Sequence, residues 1–388
     1  MKRSLGIILK ISERCNLACS YCYFFFSGDD SYQRHSPTIK KATIDDVGDF
    51  IAREVLDNDL SVVQIDLHGG EPLLMKKRAF REMATTLVES CGPAECRLAL
   101  QTNGTLLDEE WLDIFGVFNV CFSFSLDGPK AINDAARVDK KGLGSYDDVA
   151  EAISRAHRAF EAGRLEIRPG VLCVINPIYD GAEIYRHLVH DLGFDRLDFL
   201  LPDENYNSMK APSEGQVGRY LTAVFEAWVA DDDPSVKIRF VELYLGRILS
   251  SPQKRKAERE SFGARTVVTI SSDGHVSPDD VLRSAVPDFF ADPPVVSNIR
   301  LDNLFRSEPL KTLLSDIDRL PSDCNDCLWS DICRGGDQAI HRYRSDNGFD
   351  NKSVYCIDMD IMLSRMARFS VDSKLVDRDR MLENLGVA

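Results

Sequence analysis

The stretch that decides the fold is Cys15-Asn16-Leu17-Ala18-Cys19-Ser20-Tyr21-Cys22, which follows a largely apolar run over residues 6–11. Its three thiols are separated by three and then by two residues. Cysteine thiolates at such short spacings are typical ligands of an iron–sulfur cluster. A cubane of four irons normally takes four thiolates, so three leave one iron with an open position, which generally marks a catalytic site. A structural zinc site is the alternative, but it usually needs paired CxxC units or two histidines, and no histidine lies near Cys15.

The composition is that of an ordinary soluble globular protein. The chain has 388 residues, of which 44% are hydrophobic and 28% charged, enough for one large or two moderate domains. Its net charge of −15 argues against binding to nucleic acid or to an anionic membrane surface. No apolar run approaches the roughly 20 residues that span a bilayer, and no signal peptide follows Met1. We therefore expect a cytoplasmic protein, in which cysteines serve as metal ligands rather than as disulfides. Four of the eleven cysteines are scattered through predicted strands and helices and are expected to be buried as small hydrophobic residues: Cys91, Cys96, Cys121 and Cys173.

Predicted strands and helices alternate along the first half of the chain. The strands are predicted over 5–12, 62–67, 97–101, 120–126, 165–175 and 197–201, and the helices over 43–56, 77–88, 108–115, 145–160, 181–192 and 214–229. Six such units predict an α/β fold with a parallel sheet and helices outside it. This periodicity leaves open whether the sheet is a barrel or an open doubly wound sheet. An aspartate-rich segment over 231–234 ends the last of these predicted helices, and we place a domain boundary there. The predicted domains are therefore 1–232 and 233–388.

The CxxxCxxC spacing, with Tyr21 before its last cysteine, resembles the signature of the radical S-adenosylmethionine (SAM) superfamily. The resemblance implies that Cys15, Cys19 and Cys22 hold a [4Fe–4S] cluster whose open iron is chelated by SAM. It also implies that the reduced cluster cleaves SAM to a 5′-deoxyadenosyl radical, which abstracts a hydrogen atom from the substrate. Finally, it favours a partial (β/α)6 barrel, in which functional residues lie at the C-terminal ends of the strands.

Polar motifs follow the predicted strands where that rule expects them. Residues 69–72 look like the GGEP motif that receives the SAM amino group in this family, and residues 125–129 are similar to its SLDGP motif. Arg137 stands where the family places an arginine on the SAM carboxylate, a task that suits a bidentate guanidinium, although a solvated surface arginine is the alternative. Asp127 is not expected to contact SAM; it is expected to shape the turn over residues 125–129 by interacting with its own backbone. The cofactor contacts implied by the resemblance are Tyr21, Gly69, Gly70, Glu71, Asn103, Ser125, Arg137 and Leu200.

A second group of cysteines lies near the C-terminus. Cys324, Cys327 and Cys333 form CxxCxxxxxC, and Cys356 follows at a distance. Four thiolates close a tetrahedral site, and spacing alone does not separate zinc from a [4Fe–4S] cluster. The pattern resembles the SPASM domain of some radical SAM enzymes, which implies a small α+β domain with an auxiliary [4Fe–4S] cluster. Full SPASM domains hold two such clusters on further cysteines, whereas Asp279 and Asp337 stand at two of those positions here, so we expect one auxiliary cluster.

A hairpin is predicted before these cysteines, with strands over 266–270 and 272–276 around an Asp-Gly turn. The sulfatase maturases, which resemble this chain and oxidise a Cys or Ser to formylglycine, carry a proton-accepting aspartate just after that hairpin. Asp280 stands at this position and is the candidate catalytic base. The alternative is that Asp280 caps a turn or a helix.

The missing auxiliary cysteines, the aromatic run over residues 21–26 and the SPDD at 277–280 in place of YPCD resemble another group of radical SAM enzymes. These are maturases of ribosomal precursor peptides that join a side-chain β-carbon to an aromatic ring, giving a three-residue cyclophane. This resemblance implies a precursor peptide as substrate and a flavodoxin or ferredoxin-type electron donor. The alternatives are an anaerobic sulfatase-maturating enzyme and a non-catalytic zinc scaffold. The aromatic run either lines a peptide groove or packs beneath the cysteine loop.

Overall fold

The computed structural model describes residues 3–26, 30–209, 214–262, 265–279, 281–282, 285–286, 293–308, 310–336 and 338–387. The chain divides into two compact units. The first unit comprises Met1–Val171 and Gly263–Lys311, and the second comprises Leu172–Phe262 and Thr312–Ala388. The domain boundary after residue 232 stays a prediction.

The first unit is built on a mainly parallel sheet. Its strands are β1 (Arg3–Ser12), β2 (Leu60–Gly69), β3 (Glu95–Thr102), β4 (Cys121–Ser125), the first residues of β5 (Gly170–Val174), and β8 (Arg265–Ile270) and β9 (Val276–Ser277). β1 lies between β2 and β8, β2 pairs with β3, and β3 pairs with β4, all in parallel. The β8–β9 pair is antiparallel. The parallel strands therefore bring their C-terminal ends to one edge of the sheet.

Apolar side chains explain why these segments fold together. On β1, Leu5, Ile7, Leu9 and Ile11 have no exposed surface, and because side chains alternate along a strand, these four residues form one buried face. Helices accompany the strands: α1 (Tyr23–Phe26), α2 (Lys41–Asp57), α3 (Lys77–Ser90), α4 (Glu109–Val117), α5 (Lys130–Ala136) and α6 (Tyr146–Glu161), with α11 (Leu301–Arg306) and the start of α12 (Leu310–Asp318) after β9. Buried residues recur at helical spacing, as in α3 with Phe80, Met83, Ala84 and Leu87.

The second unit is largely helical. It contains α7 (Gly181–Arg186), α8 (Gln216–Asp231), α9 (Arg239–Leu249), α10 (Pro252–Phe262), α13 (Ser330–Cys333), α14 (Cys356–Asp372) and α15 (Arg378–Leu385), and its strands β6 (Arg196–Leu200) and β7 (Lys237–Ile238) are parallel. Helices α8 and α14 approach closely at Gly218, whose amide donates to Asp358 Oδ1 at 2.8 Å. A Cβ on Gly218 would lie 2.5 Å from the Asp358 carbonyl oxygen, so this contact requires glycine.

The α/β class and the partial barrel are confirmed. All six predicted strands are present, although the fifth covers only Gly170–Val174. The helix predicted over 181–192 is α-helical only as far as Arg186 and continues as a π-helix over His187–Asp191. The hairpin is also confirmed, with a second strand of only two residues, Val276–Ser277. Within the described residues, no helix is long and apolar enough to cross a membrane.

Candidate active site and cluster sites

The loop with Cys15, Cys19 and Cys22 follows the C-terminal end of β1, and all three thiols are half-buried. Main-chain hydrogen bonds hold it against the segment that follows α5. The amide of Ala18 donates to the Val138 carbonyl at 2.8 Å, and that of Ser20 donates to the Ala136 carbonyl at 3.1 Å. These bonds flank residue 137, so the cysteine loop and the predicted SAM-binding arginine are positioned together.

Gly69 and Gly70 lie at the C-terminal end of β2, where the chain passes very close to the cysteine loop. Gly69 has a φ of +126°, and a Cβ there would lie 2.0 Å from the Ser12 carbonyl oxygen. A Cβ on Gly70 would lie 2.3 Å from the Arg14 carbonyl oxygen. The amide of Gly70 donates to the Ser12 carbonyl at 2.8 Å. Both glycines are therefore explained by contact with the main chain of the cysteine loop, while their contact with SAM stays a prediction.

Glu71 is buried, with 1% of its surface exposed, and its carboxylate accepts three hydrogen bonds. The donors are the amide of Leu73 at 2.9 Å, the hydroxyl of Thr102 at 2.8 Å and the amide of Asn103 at 2.8 Å. Burial raises the pKa of Glu71, and the hydrogen bonds from Asn103, Leu73 and Thr102 oppose that rise. With these donors, Glu71 ties the end of β2 to the end of β3.

Asn103 carries this connection to the first cysteine. Its side-chain amide donates to Asn16 Oδ1 at 2.9 Å and lies 3.7 Å from Cys15 Sγ, while its Oδ1 accepts from the Thr105 hydroxyl at 2.7 Å. Asn16 closes the set by donating to the same hydroxyl at 2.7 Å. The chain Glu71–Asn103–Cys15 thus fixes the position of one predicted iron ligand.

Tyr21, Asp127 and Arg137 form a second network, in which Asp127 and Arg137 are buried whereas 36% of the surface of Tyr21 is exposed. Arg137 Nη1 donates to the Tyr21 hydroxyl at 2.6 Å, which donates to Asp127 Oδ2 at 2.6 Å. Burial opposes the charge of Arg137, but Tyr21, Asp127 and Cys19 outweigh it, so the pKa of the guanidinium lies above its usual value. Arg137 Nε is buried and has no hydrogen-bond partner among the described residues. A buried guanidinium with an unmatched donor fits a site for a carboxylate.

The environment of the three thiols fits a metal cluster. Burial, with smaller contributions from the charges of Glu71, Cys19 and Cys22, raises the pKa of Cys15 to about 11, although the amide of Leu17 lowers it. Burial also raises the pKa of Cys19 and Cys22, while Arg137 lowers both. Three thiolates at one buried site therefore need added positive charge, which bound iron supplies. Cys15, Cys19 and Cys22 would hold this cluster.

Ser125 and Leu200 are the other two residues predicted to contact SAM. Ser125 ends β4, is half-buried and accepts a hydrogen bond from Gln101 Nε2 at 2.6 Å. Leu200 is half-buried at the end of β6, in the second unit. Asp280 and Asp337 lie outside the described residues. The structure thus brings Tyr21, Gly69, Gly70, Glu71, Asn103 and Arg137 together around the cysteine loop.

The aromatic run after Cys22 is largely used for packing. The ring of Phe25 lies 4.9 Å from the rings of both Phe24 and Tyr32, in edge-to-face contacts. Its Cζ lies 2.9 Å from where a Cβ on Gly70 would stand. Phe26 alone is exposed, with 60% of its surface accessible. Phe24 and Phe25 therefore support the cysteine loop.

Lys10 and His68 also belong to this site, although neither was singled out by a sequence motif. Lys10 is 2% exposed, and its Nζ lies 3.1 Å from His68 Nδ1 and 3.2 Å from the Tyr23 hydroxyl. Its charge lowers the pKa of Cys22, after the larger effects of burial, the amides of the loop and Arg137. The available sequence signal was a lysine inside an otherwise apolar strand, level with His68 on β2.

Three of the C-terminal cysteines, Cys324, Cys327 and Cys356, lie near enough in the second unit to influence one another electrostatically. Cys324 ends the 3-10 turn Ser322–Cys324, and Cys356 is the first residue of α14. Burial and the charges of Cys356 and Cys327 raise the pKa of Cys324 to about 11. The Cys327 sulfur accepts the Trp329 amide at 3.4 Å, and Trp329 Nε1 donates to Asp360 at 2.7 Å. Local turns and one helix end therefore gather thiols from two separate segments.

The distances between the C-terminal thiols bear on whether they bind one zinc ion or an iron–sulfur cluster. Zinc–sulfur bonds of about 2.3 Å in a tetrahedron place thiolates roughly 3.8 Å apart. Among the described residues, the only three ligand atoms found within 4.8 Å of one another belong to a different group, so no three of these four thiols are that close. A multi-iron cluster separates its thiolates more widely than one zinc ion does. The lack of such a close group does not favour a single zinc ion, and an iron–sulfur cluster on Cys324, Cys327, Cys333 and Cys356 stays a prediction.

The site and the fold together define the class. Residues 9–171 match the family model of the radical SAM superfamily, and this range contains the cysteine loop and both networks around it. Over this range the chain is similar to radical SAM enzymes, and its fold matches that of a solved enzyme, native anSMEcpe with bound AdoMet. This match supports SAM and its [4Fe–4S] cluster as the cofactors of the site formed around the cysteine loop.

The chain is similar over most of its length to the cysteine-type anaerobic sulfatase-maturating enzyme of Clostridium perfringens (strain 13 / Type A). The two are 27% identical over 368 residues, covering 91% of this chain and 93% of the relative. The fold matches native anSMEcpe with bound AdoMet and Cp18Cys peptide, with a TM-score of 0.75, 20% identity, and coverage of 96% of this chain and 100% of the other. It also matches Streptococcus suis SuiB bound to the precursor peptide SuiA, with a TM-score of 0.56, 16% identity, and coverage of 92% and 76%.

The prediction of a cyclophane-forming maturase is wrong. Similarity over 91% of the chain is to sulfatase-maturating enzymes, which favours the alternative. That prediction depended on auxiliary cysteines missing at single positions and on the aromatic run. The packing of Phe24 and Phe25 against Tyr32 and Gly70 gives that run a structural explanation. A flavodoxin or ferredoxin-type electron donor stays a prediction.

Proposed function

We propose that this enzyme is a maturase of the anaerobic sulfatase-maturating type, which oxidises a Cys or Ser side chain of a peptide or protein to formylglycine. The observation that carries the proposal is the 27% identity to a cysteine-type maturase across 91% of the chain. The match in fold to an enzyme with bound AdoMet and a cysteine peptide supports it. Conversion of Cys removes two hydrogens from the side chain, and water then replaces sulfur, which leaves as hydrogen sulfide.

The residues of the first unit have distinct parts in this reaction. When bound, SAM and its cluster supply the radical that removes a hydrogen atom from the substrate side chain. Arg137, oriented by Tyr21, is proposed to hold the SAM carboxylate through the buried Nε that has no partner among the described residues. Glu71 and Asn103 keep Cys15 in place. Positioning of this kind lowers the barrier because the reacting groups are already aligned.

The second hydrogen leaves as an electron and a proton. We propose that the four C-terminal cysteines would hold an auxiliary cluster, which would supply an acceptor for the electron. The proposed proton acceptor is Asp280, on the basis of its position three residues after Ser277 at the end of β9. A carboxylate there removes the proton as the electron departs.

The test is anaerobic incubation of the reconstituted enzyme with SAM, a reductant, and matched peptides that carry Cys, Ser or Ala at the target position of a sulfatase. We expect an aldehyde, detected by hydrazide trapping and mass spectrometry, on the Cys or the Ser peptide. The Ala peptide and a variant lacking Cys15, Cys19 and Cys22 are expected to give none. Cleavage of SAM without aldehyde on any peptide would overturn the proposal.

The role of Asp280 has its own matched comparison. Asp280→Asn is expected to reduce aldehyde formation at least tenfold while 5′-deoxyadenosine is still produced, because hydrogen abstraction precedes deprotonation. Asp279→Asn is the control, since Asp279 Oδ1 accepts the amide of Val281 at 3.2 Å and so shapes the local turn. Equal losses in both variants would count against a specific base at position 280.

A further inference from the structure

Three side chains outside the cluster sites converge on one point of the first unit. His35 Nε2 lies 3.7 Å from Asp273 Oδ2, and His275 Nδ1 lies 3.1 Å from the same oxygen. One ligand atom from each residue lies within 4.8 Å of the other two. In the parts of the chain that the structure describes, this is the only group of three His, Cys, Asp or Glu residues with that spacing.

The second nitrogen of His35 has a carboxylate partner. His35 Nδ1 lies 3.4 Å from Glu13 Oε1, and the Glu13 side chain is only 2% exposed. A proton on Nδ1 shared with Glu13 leaves the lone pair of Nε2 directed towards Asp273. A carboxylate behind a histidine ring is the usual support of a metal-binding imidazole, because it sets the tautomer and raises the basicity of the ligand.

The carboxylate of Asp273 is oriented as well. Its Oδ1 accepts the Ser271 hydroxyl at 2.6 Å, which leaves Oδ2 on the side of both histidines. The amide of Ser271 donates to the His275 carbonyl at 3.0 Å, closing the turn between β8 and β9. Gly274 has a φ of +89°, so this turn depends on glycine to place Asp273 and His275 on one side.

The two segments that carry these ligands are joined by independent hydrogen bonds. The Ser272 hydroxyl donates to the Ser36 carbonyl at 2.7 Å, and the Ser272 amide donates to Glu13 Oε1 at 3.2 Å. The amide of Glu13 donates to the Pro37 carbonyl at 3.0 Å. His35 is therefore held against the hairpin without any ion, and the three ligand atoms are preorganised.

We propose that His35 Nε2, His275 Nδ1 and Asp273 bind one divalent transition-metal ion of the zinc class. Two imidazoles and one carboxylate are a common donor set for such ions and leave a position for water or another ligand. The set contains no thiolate, which separates this ion from the iron–sulfur clusters. The bound ion links the segment after the cysteine loop to the β8–β9 hairpin.

Zinc is the probe that tests this site. The enzyme is reconstituted anaerobically so that the seven cluster cysteines hold iron, and its iron and zinc contents are measured after titration and desalting. We expect one zinc per chain in addition to iron. His275→Gln and Asp273→Asn should each abolish this binding, and Glu13→Gln should weaken it about 10–100-fold because it removes the support of the imidazole.

His190→Gln is the matched control, since His190 pairs with Asp231 at 2.8 Å outside any three-ligand group found in the described residues. It should bind zinc as the unaltered enzyme does. Equal iron content in all variants verifies that they are folded and loaded. Zinc retained by His275→Gln and Asp273→Asn would show binding at vacated cysteines or at the surface and would overturn the proposal, as would no zinc in the unaltered enzyme.

Discussion

Replacing Glu71 with Gln tests whether the GGEP motif holds the cysteine loop in place. The buried Glu71 carboxylate accepts from Leu73 and Thr102 at one oxygen and from Asn103 at the other. Glutamine has one acceptor oxygen and one donor group in the same shape. In either orientation of the amide, at least one buried donor faces another donor.

The expected cost follows from these contacts. A buried donor left unsatisfied costs about 1–3 kcal/mol, and a hydrogen bond to a charged group is worth about 1.5–3 kcal/mol. Burial raises the pKa of Glu71, so removing its charge returns part of the desolvation penalty. We therefore expect the free energy of unfolding of the first unit to fall by about 2 kcal/mol, or about 4–8 °C in melting temperature for a unit of this size.

The effect on function should exceed that of general destabilisation. Asn103 is displaced when its amide loses Glu71, and Asn103 supports Cys15 through Asn16. A shift worth about 1.4 kcal/mol at the cluster slows SAM cleavage tenfold. We expect Glu71→Gln to lower both the iron retained by the first site and the rate of 5′-deoxyadenosine formation at least tenfold.

Glu54→Gln provides the comparison. Glu54 is also buried, at 2% exposure, and accepts from Asn58 Nδ2 at 2.8 Å. It lies near the end of α2, before the start of β2, whereas the cysteine loop follows the opposite end of the parallel strands. Glu54→Gln is therefore expected to keep its iron and its SAM cleavage. The reasoning fails if Glu71→Gln melts within 1 °C of the unaltered enzyme and retains its iron, or if Glu54→Gln loses as much activity.

Three further outcomes are expected. Tyr21→Phe removes the hydroxyl to which Arg137 donates, so SAM affinity measured by equilibrium dialysis should fall about tenfold, worth roughly 1.4 kcal/mol, with iron content unchanged; unchanged affinity would contradict a SAM-orienting network. Gly70→Ala drives a methyl group into the main chain of the cysteine loop and should remove iron from the first site, whereas Gly246→Ala, with open space around it, should keep its iron; retention of iron by both would refute the close-contact explanation. Cys356→Ala should lower the iron content from about eight to about four per chain and abolish aldehyde formation while SAM cleavage continues; an unchanged iron content would exclude Cys356 as a ligand.

The order of strands and helices was predictable because the parallel strands carry runs or alternations of apolar residues and the helices between them carry periodic apolar faces. Strand β1 shows this directly, with four side chains that have no exposed surface. Boundaries were less predictable where the pattern stays apolar beyond the hydrogen-bonded segment. The fifth strand covers only Gly170–Val174 although it was predicted from 165, because Pro169 has no amide hydrogen to donate to a neighbouring strand.

The cluster ligands were predictable because iron–sulfur chemistry requires cysteine and the spacing is local. The supporting contacts were not, since they join residues far apart in sequence. Lys10 meets His68 only because β1 and β2 pair in a register that makes them neighbours. The link from Glu71 to Asn103 likewise depends on where two strands end. A buried lysine and a pair of glycines are visible in the sequence, but their partners are set by tertiary packing.

The same distinction explains why the substrate was assigned wrongly from single positions. The presence or absence of a cysteine identifies a possible ligand, whereas an aromatic residue is used equally well for a groove and for a core. Phe24 and Phe25 pack on Tyr32, and Phe25 lies above Gly70, so their type follows from supporting the loop. Similarity to a sulfatase-maturating enzyme along 91% of the chain reflects many packing contacts at once. It is therefore stronger evidence about function than a few single positions, such as missing cysteines and an aromatic run.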